Sequence, residues 1–229
     1  MSTVKLYNDD YLKALDNIPD GTVDLVVTDP PYKFTSTVGG GFYAKDNPDK
    51  QREYLDSLQN LKCADFNAKL FLYMIKPKMK KIYVYAFCNK YLLKDYIQWA
   101  EDNKCSYDIL VMAKSNPIPA CNNHYMSDLE YIVIIRGKNT YFSKEKDLDL
   151  YRKWFLTSCK KGLHPAQKPL DLIKRFVTVA CTEGGTVLDC FMGSGTTGVA
   201  CKNLNRDFIG IEIDKKYFDI AKARIEGKL

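Results

Sequence analysis

The feature that most constrains this chain is the alternation of short β-rich runs with stretches of helical spacing. Val23–Thr28 (VDLVVT), Ile82–Phe87 (IYVYAF), Thr186–Cys190 and Phe208–Ile213 read as strands, while Gln51–Ile75, Lys90–Asn103, Pro169–Ala180, Thr196–Leu204 and Lys215–Ile225 carry helical periodicity. Strands separated by helices point to a mostly parallel sheet covered on both faces. Tyr107–Ala113 and Leu129–Ile135 break the rhythm, because a Pro/Asn-rich stretch without a helix-length signal joins them, and they read as an antiparallel hairpin at one edge. No internal repeat and no clear linker divides the chain, so 1–229 is expected to be a single domain. That length is enough to bury a core without staples.

Composition excludes several classes. No apolar run approaches the ~20 residues of a membrane-spanning helix, and the opening MSTVKLYNDD lacks a signal-peptide stretch, so no membrane partner and a cytoplasmic location are expected. Eight cysteines without a C-x-x-C pair, beside two histidines, argue against a zinc site; no metal is expected and the cysteines read as reduced and structural. A net charge of +6 permits a nucleic-acid partner without demanding one.

In open α/β sheets, ligands bind beyond the carboxyl ends of the strands, where the strand order reverses. Two strand ends here carry chemistry. One leads into Asp189-Cys190-Phe191-Met192-Gly193-Ser194-Gly195-Thr196-Thr197-Gly198, a glycine turn opening a helix. Glycine allows positive φ and close ligand approach. Glu212 closes the next strand, where a carboxylate can accept from both hydroxyls of a ribose. An adenosine-containing cofactor follows; this motif alone does not separate a dinucleotide from S-adenosylmethionine, and a turn made only for tight packing is the bland alternative. No G-x-x-x-x-G-K-[ST] phosphate loop occurs.

The other strand end leads into Asp29-Pro30-Pro31-Tyr32. Two prolines fix two φ angles and remove two N–H donors. The Pro30 carbonyl and the Asp29 carboxylate are then two acceptors in a rigid frame, suited to an exocyclic NH₂, and Tyr32 offers a flat face for a base. The ordinary reading is a strand-terminating turn with a capping aspartate.

Together the two motifs resemble the amino-group DNA methyltransferases that use S-adenosylmethionine, with their D-P-P-Y and F-x-G-x-G signatures. The tetrad precedes the glycine turn by about 160 residues, as in the permuted β group. His164-Pro165-Ala166-Gln167-Lys168-Pro169 is similar to the cofactor-side motif ahead of that turn, and Asn8-Asp9-Asp10 to the N-terminal G-D segment, with Asn8 in place of glycine. Ile209–Asp214 followed by Tyr217 resembles the ribose-binding strand and its helix. The resemblance implies a Rossmann-like methyltransferase fold, with a mostly parallel seven-stranded sheet, one antiparallel edge strand and helices on both faces. It implies a catalytic set of Asp29, Pro30, Pro31 and Tyr32. It implies cofactor contacts from Asp9, Asp29, His164, Lys168, Asp189, Phe191, Gly193, Ser194, Gly195, Thr196, Thr197 and Glu212.

The expected activity is methyl transfer to the N6 of an adenine flipped out of double-stranded DNA. Cytosine-N4 transfer is the nearest alternative. RNA methylation, a nicotinamide oxidoreductase and a catalytically dead DNA-binding module stand further off. A cytosine-C5 enzyme needs a nucleophilic cysteine after a proline, and none of the nine prolines is followed by cysteine. Residues 33–50 are expected to be a mobile loop, and 137–162, basic and aromatic, a small target-recognition insertion. A homodimer and a cognate restriction endonuclease remain open as partners.

Overall fold

The computed structural model describes residues 2–31, 66–117, 125–126, 128–158, 163–164 and 166–229. Eight strands form one sheet: β1 (Val4–Tyr7), β2 (Leu25–Thr28), β3 (Tyr83–Cys88), β4 (Ser106–Lys114), β5 (Leu129–Arg136), β6 (Trp154–Thr157), β7 (Thr186–Asp189) and β8 (Asp207–Ile211). Their order is β1-β8-β7-β2-β3-β5-β4-β6. The α-helices are α1 (Tyr11–Ala14), α2 (Ala68–Ile75), α3 (Leu93–Asp102), α4 (Leu170–Ala180), α5 (Thr196–Asn203) and α6 (Lys215–Glu226).

β2 and β3 are buried at every position, as strands covered on both faces must be. Their residues alternate between two cores. Val26, Val84, Ala86 and Leu188 face α1, α2 and α3 through Leu15, Phe71, Tyr96 and Trp99. Leu25, Val27, Tyr85 and Val187 face α4, α5 and α6 through Phe176, Cys201 and Ile225. Helix starts are fixed locally: Asp10, Asn67 and Asp214 each accept backbone N–H groups with their side chains. The five cysteines among the described residues are free, and four are buried. No helix among the described residues is long and apolar enough to cross a membrane.

Two expectations change. The sheet has eight strands rather than seven, because β6 adds in parallel to the outer side of β4. The antiparallel strand is not at the edge: β5 lies between β3 and β4 and runs against both. Segment 137–162 supplies that eighth strand. Its earlier part is tied to α4, with the Ser143 N–H donating to the Val179 carbonyl and the Arg175 guanidinium to the Leu150 carbonyl. Because β5 runs opposite to its neighbours, the chain leaves it at the end of the sheet away from the carboxyl ends of β2 and β7. Only after β6 does it return to them. The long helix expected over Gln51–Ile75 is described only as Ala68–Ile75; its first part, and the 33–50 loop, lie outside the described residues.

Candidate functional site

β2 and β7 are adjacent and parallel at the centre of the sheet, with Leu25 opposite Val187 and Val26 opposite Leu188. From β7 the chain crosses through α5 to β8 on one side, while β3 flanks β2 on the other. Their carboxyl ends therefore mark the point where strand order reverses. A cavity of about 600 Å³ opens there, and both sequence motifs line it. That volume lies within the range of sites that take a nucleoside-sized ligand.

The cofactor side is built by bonds within the protein. Gly193 and Gly195 have positive φ, 51° and 79°. A Cβ on Gly195 would come within 2.9 Å of the Ala221 Cβ, so this glycine lets α6 close on the turn. Gly193 instead faces the His164 ring at the cavity wall. Its N–H donates to Glu212 Oε2 at 2.9 Å, and the Asp214 N–H donates to Oε1 at 2.8 Å. These bonds aim the Glu212 carboxylate while leaving each oxygen capacity for another donor. Asp189 accepts from the Thr28 hydroxyl (3.1 Å), the Phe191 N–H (3.1 Å) and the Thr197 hydroxyl (2.6 Å). Burial still pushes its pKa up to about 7. The Ser194 hydroxyl donates to Gln167 Oε1 at 3.1 Å. His164 accepts the Ala166 N–H on Nδ1 at 3.1 Å, and its ring meets the Tyr217 ring edge-on at 4.2 Å. Burial, then the nearby Lys168 ammonium, lowers its pKa to about 4, so the imidazole is neutral near pH 7.

The side at the end of β2 is different. Asp29 follows β2 directly. Its Oδ2 pairs with Lys168 Nζ at 2.6 Å, while Oδ1 is buried without a hydrogen-bond partner. Burial raises the Asp29 pKa; Lys168 opposes that shift and the nearby Glu130 adds to it. Lys168 is itself buried, passes 4.9 Å from the Phe87 ring centre, and also pairs with Glu130 Oε2 at 3.0 Å. Glu130 Oε1 pairs with Lys114 Nζ at 2.6 Å. Burial would raise Glu130 too, but the two lysines outweigh it and bring its pKa to about 2.

Most expected site residues meet at this cavity. Asp29, Pro30, Pro31, His164, Lys168, Asp189, Phe191, Gly193, Ser194, Thr196, Thr197 and Glu212 all line it. Gly195 does not, and acts behind the wall. Asp9 does not line it either; its carboxylate accepts the Asp10 N–H, and Asp10 caps α1. Asn8, the departure from the expected glycine, donates to the Glu212 carbonyl at 2.8 Å and so tethers the end of β1 beside Glu212. Tyr32 lies outside the described residues. Sequence reasoning missed Thr28, Lys114 and Glu130. The signal for Glu130 was present: an acid inside LEYIVIIR, a run otherwise suited to a buried strand, requires a partner.

An open α/β sheet whose reversal point holds a carboxylate fixed by backbone N–H groups on one side and an open acceptor in a diproline frame on the other has the arrangement expected of an S-adenosylmethionine-dependent methyltransferase. A family model described as DNA methylase matches residues 23–223, and the chain belongs to that family, whose members act on N6 or N4 amino groups. It is 28% identical to the type II methyltransferase M2.DpnII of Streptococcus pneumoniae, over 97% of this chain and 90% of the relative. The solved M1.HpyAVI–SAM complex matches with a TM-score of 0.71 at 28% identity, covering 96% of this chain and 99% of that one. PvuII DNA methyltransferase, described as cytosine-N4-specific, shares the fold, with a TM-score of 0.68 at 17% identity over 98% of this chain and 86% of that one.

S-adenosylmethionine is the cofactor, and the residues present fit it. The cavity is large enough, Glu212 is aimed at it, and Gly193 leaves the wall beside His164 open. Glu212 suits the ribose hydroxyls, and His164 and Tyr217 offer ring surfaces. Bound there, the cofactor supplies an electrophilic methyl group on a sulfonium.

Proposed function

We propose that this chain methylates the exocyclic N6 of an adenine flipped out of duplex DNA. The observation that carries the reading is Asp29 Oδ1, a buried acceptor with no partner at the cavity wall. An unpaired buried acceptor costs stability and is retained where a ligand supplies the donor. Asp29 Oδ1 takes one N–H of the target amino group and the Pro30 carbonyl takes the other. The nitrogen lone pair is thereby turned toward the methyl, and the positive charge that grows on nitrogen is stabilised by preorganised acceptors. Lys168 holds Oδ2, so the oxygen presented to the base is fixed in advance. A carboxylate whose pKa burial has raised is also a competent acceptor for the proton the methylated nitrogen sheds. Tyr32 supplies the stacking face.

Aspartate at the first tetrad position supports adenine over cytosine. The duplex lies across the strand-end face, over the cavity that Asp29 and Pro30 line. The S. pneumoniae relative is named a type II methyltransferase; this supports a cytoplasmic role beside a restriction endonuclease that shares the recognition site without a stable complex. A homodimer is compatible with this role.

The test is transfer from labelled S-adenosylmethionine to mixed-sequence, unmethylated duplex DNA, digested to nucleosides and resolved by mass. Methyl on adenine N6 is the expected result. Methyl on cytosine N4 would overturn the base assignment and keep the chemistry. No transfer by protein that binds the cofactor would overturn the reading.

A further inference from the structure

The acid that sequence reasoning overlooked has no place in the mechanism above. Glu130 sits near the start of β5, at the cavity end of the sheet because β5 runs antiparallel. It does not line the cavity. It shares a buried ammonium with the catalytic carboxylate, in the sequence Asp29–Lys168–Glu130–Lys114, at separations of 2.6, 3.0 and 2.6 Å. The four formal charges cancel. Lys168 is 9% exposed and Glu130 18%, so water screens these pairs poorly. Removing one partner from such a chain leaves a buried charge to be re-partnered by its neighbours.

We propose that Glu130 is a positioning residue for methyl transfer: it divides the Lys168 ammonium with Asp29 and so keeps Asp29 Oδ1 open for the target amino group. The inference rests on the reading that Asp29 accepts from that group. A lysine ammonium has three donors and no fixed fork. With Glu130 anchoring one side, Lys168 reaches Asp29 at Oδ2 alone. Without that anchor, Lys168 is held more closely by Asp29. The ammonium then recentres on Asp29, competes for Oδ1 and draws charge from the acceptor that the substrate needs. Lys114 works in the opposite sense. It occupies Glu130 from the far side and limits how strongly Glu130 pulls on Lys168.

The two lysines and two acids predict opposite responses. Glu130→Gln removes a negative charge that raises Asp29 and strengthens the Lys168–Asp29 pair. Asp29 then ionises at lower pH. Lys114→Gln removes a positive charge and frees Glu130 to take more of Lys168, so Asp29 ionises at higher pH. The other titratable groups acting with Asp29 are Asp189 on β7 and the Cys88 thiol on β3. Cys88 is pushed up to about 12 and stays neutral. Asp189 is governed by burial, by its bonds to Thr197, Phe191 and Thr28, and by Asp29, and both substitutions leave those bonds in place. His164, beside Lys168, is neutral above about pH 4.

The experiment measures single-turnover methyl transfer to unmethylated duplex DNA from pH 5 to 9, at saturating S-adenosylmethionine, for the wild type and both variants. Cofactor affinity and thermal unfolding are measured on the same samples. The expected result is a low-pH limb displaced downward by about half a unit or more in Glu130→Gln and upward in Lys114→Gln. In Glu130→Gln the plateau rate falls about tenfold while cofactor affinity stays within about threefold. Limbs that do not move, or that move in the same direction, would overturn the proposal. So would a Glu130→Gln protein that loses cofactor binding with an unchanged limb, since that is a structural role. If Glu130→Gln does not fold, the upward displacement in Lys114→Gln decides alone, and its absence overturns the proposal. A wild type that transfers no methyl to DNA would instead overturn the function on which this inference rests.

Discussion

The two strand ends that meet at the cavity are built on opposite plans. At β7 and β8 the carboxylates are already engaged: Asp189 by Thr28, Phe191 and Thr197, and Glu212 by Gly193 and Asp214. At β2 the Asp29 carboxylate has one oxygen on Lys168 and the other buried and open. The difference separates two tasks. On the proposed function, a cofactor that returns every turnover is served by a cradle whose shape the protein's own hydrogen bonds fix, with little reorganisation on binding. On the same proposal, the reacting base is served by an acceptor left unmet until the base arrives, so that the interaction strengthens with the charge developing in the transition state.

Substitutions at the two ends should therefore fail in different ways. The largest effect is expected at the open end. Asp29→Ala should lower the single-turnover rate by roughly 10²–10³, measured at saturating cofactor, with a folded protein by circular dichroism. Next, Gly195→Val forces a β-branched side chain into positive φ and into Ala221. It should destabilise by about 2 kcal/mol or more, read as a lower denaturation midpoint, and should loosen cofactor binding with it. Glu212→Gln replaces the acceptor of the Gly193 and Asp214 N–H groups with a neutral amide. Cofactor affinity should fall about tenfold by calorimetry, the scale of one charge-assisted hydrogen bond.

The smallest effect concerns pH. Asp189 holds its proton to about pH 7 in the fold, against an ordinary value of 3.8. A raised acid contributes stability that is full at low pH and lost as pH rises through its folded value. Between about pH 5 and 8 Asp189 should lower the melting temperature of the cofactor-free protein as pH rises, against the opposing contribution of His164, so that stability gains more with pH in Asp189→Asn than in the wild type. An Asp189→Asn protein with the same slope as the wild type would mean that Asp189 is ionised in the fold.

Much of the site was legible because its chemistry is local. Asp29-Pro30-Pro31 and the glycine turn are contiguous, and an alternating pattern suffices to place strand ends at one rim. What escaped was set by tertiary partners. β1 spans only VKLY, with Lys5 exposed, and β6 spans WFLT, with Trp154 and Leu156 exposed. Four-residue edge strands with solvent-facing sides have too little periodicity to stand out. The interior position of β5 could not be read from a hairpin signal, which fixes pairing within the hairpin and not which strand adds outside it. The strand within segment 137–162 and its anchors, Val179 and Arg175, were not legible because those anchors lie more than 20 residues further along the chain. Glu130 escaped because its role depends on Lys168, brought to it from 38 positions away.

The most direct test of the division between the two ends measures rate and cofactor affinity together in Asp29→Asn and Glu212→Gln. The account predicts a double dissociation. Asp29→Asn binds S-adenosylmethionine within several-fold of the wild type and loses its methyl-transfer rate at saturation. Glu212→Gln binds the cofactor weakly and, once saturated, recovers most of the rate. Wild-type turnover in Asp29→Asn, with the loss of rate at saturation falling on Glu212→Gln instead, would contradict it.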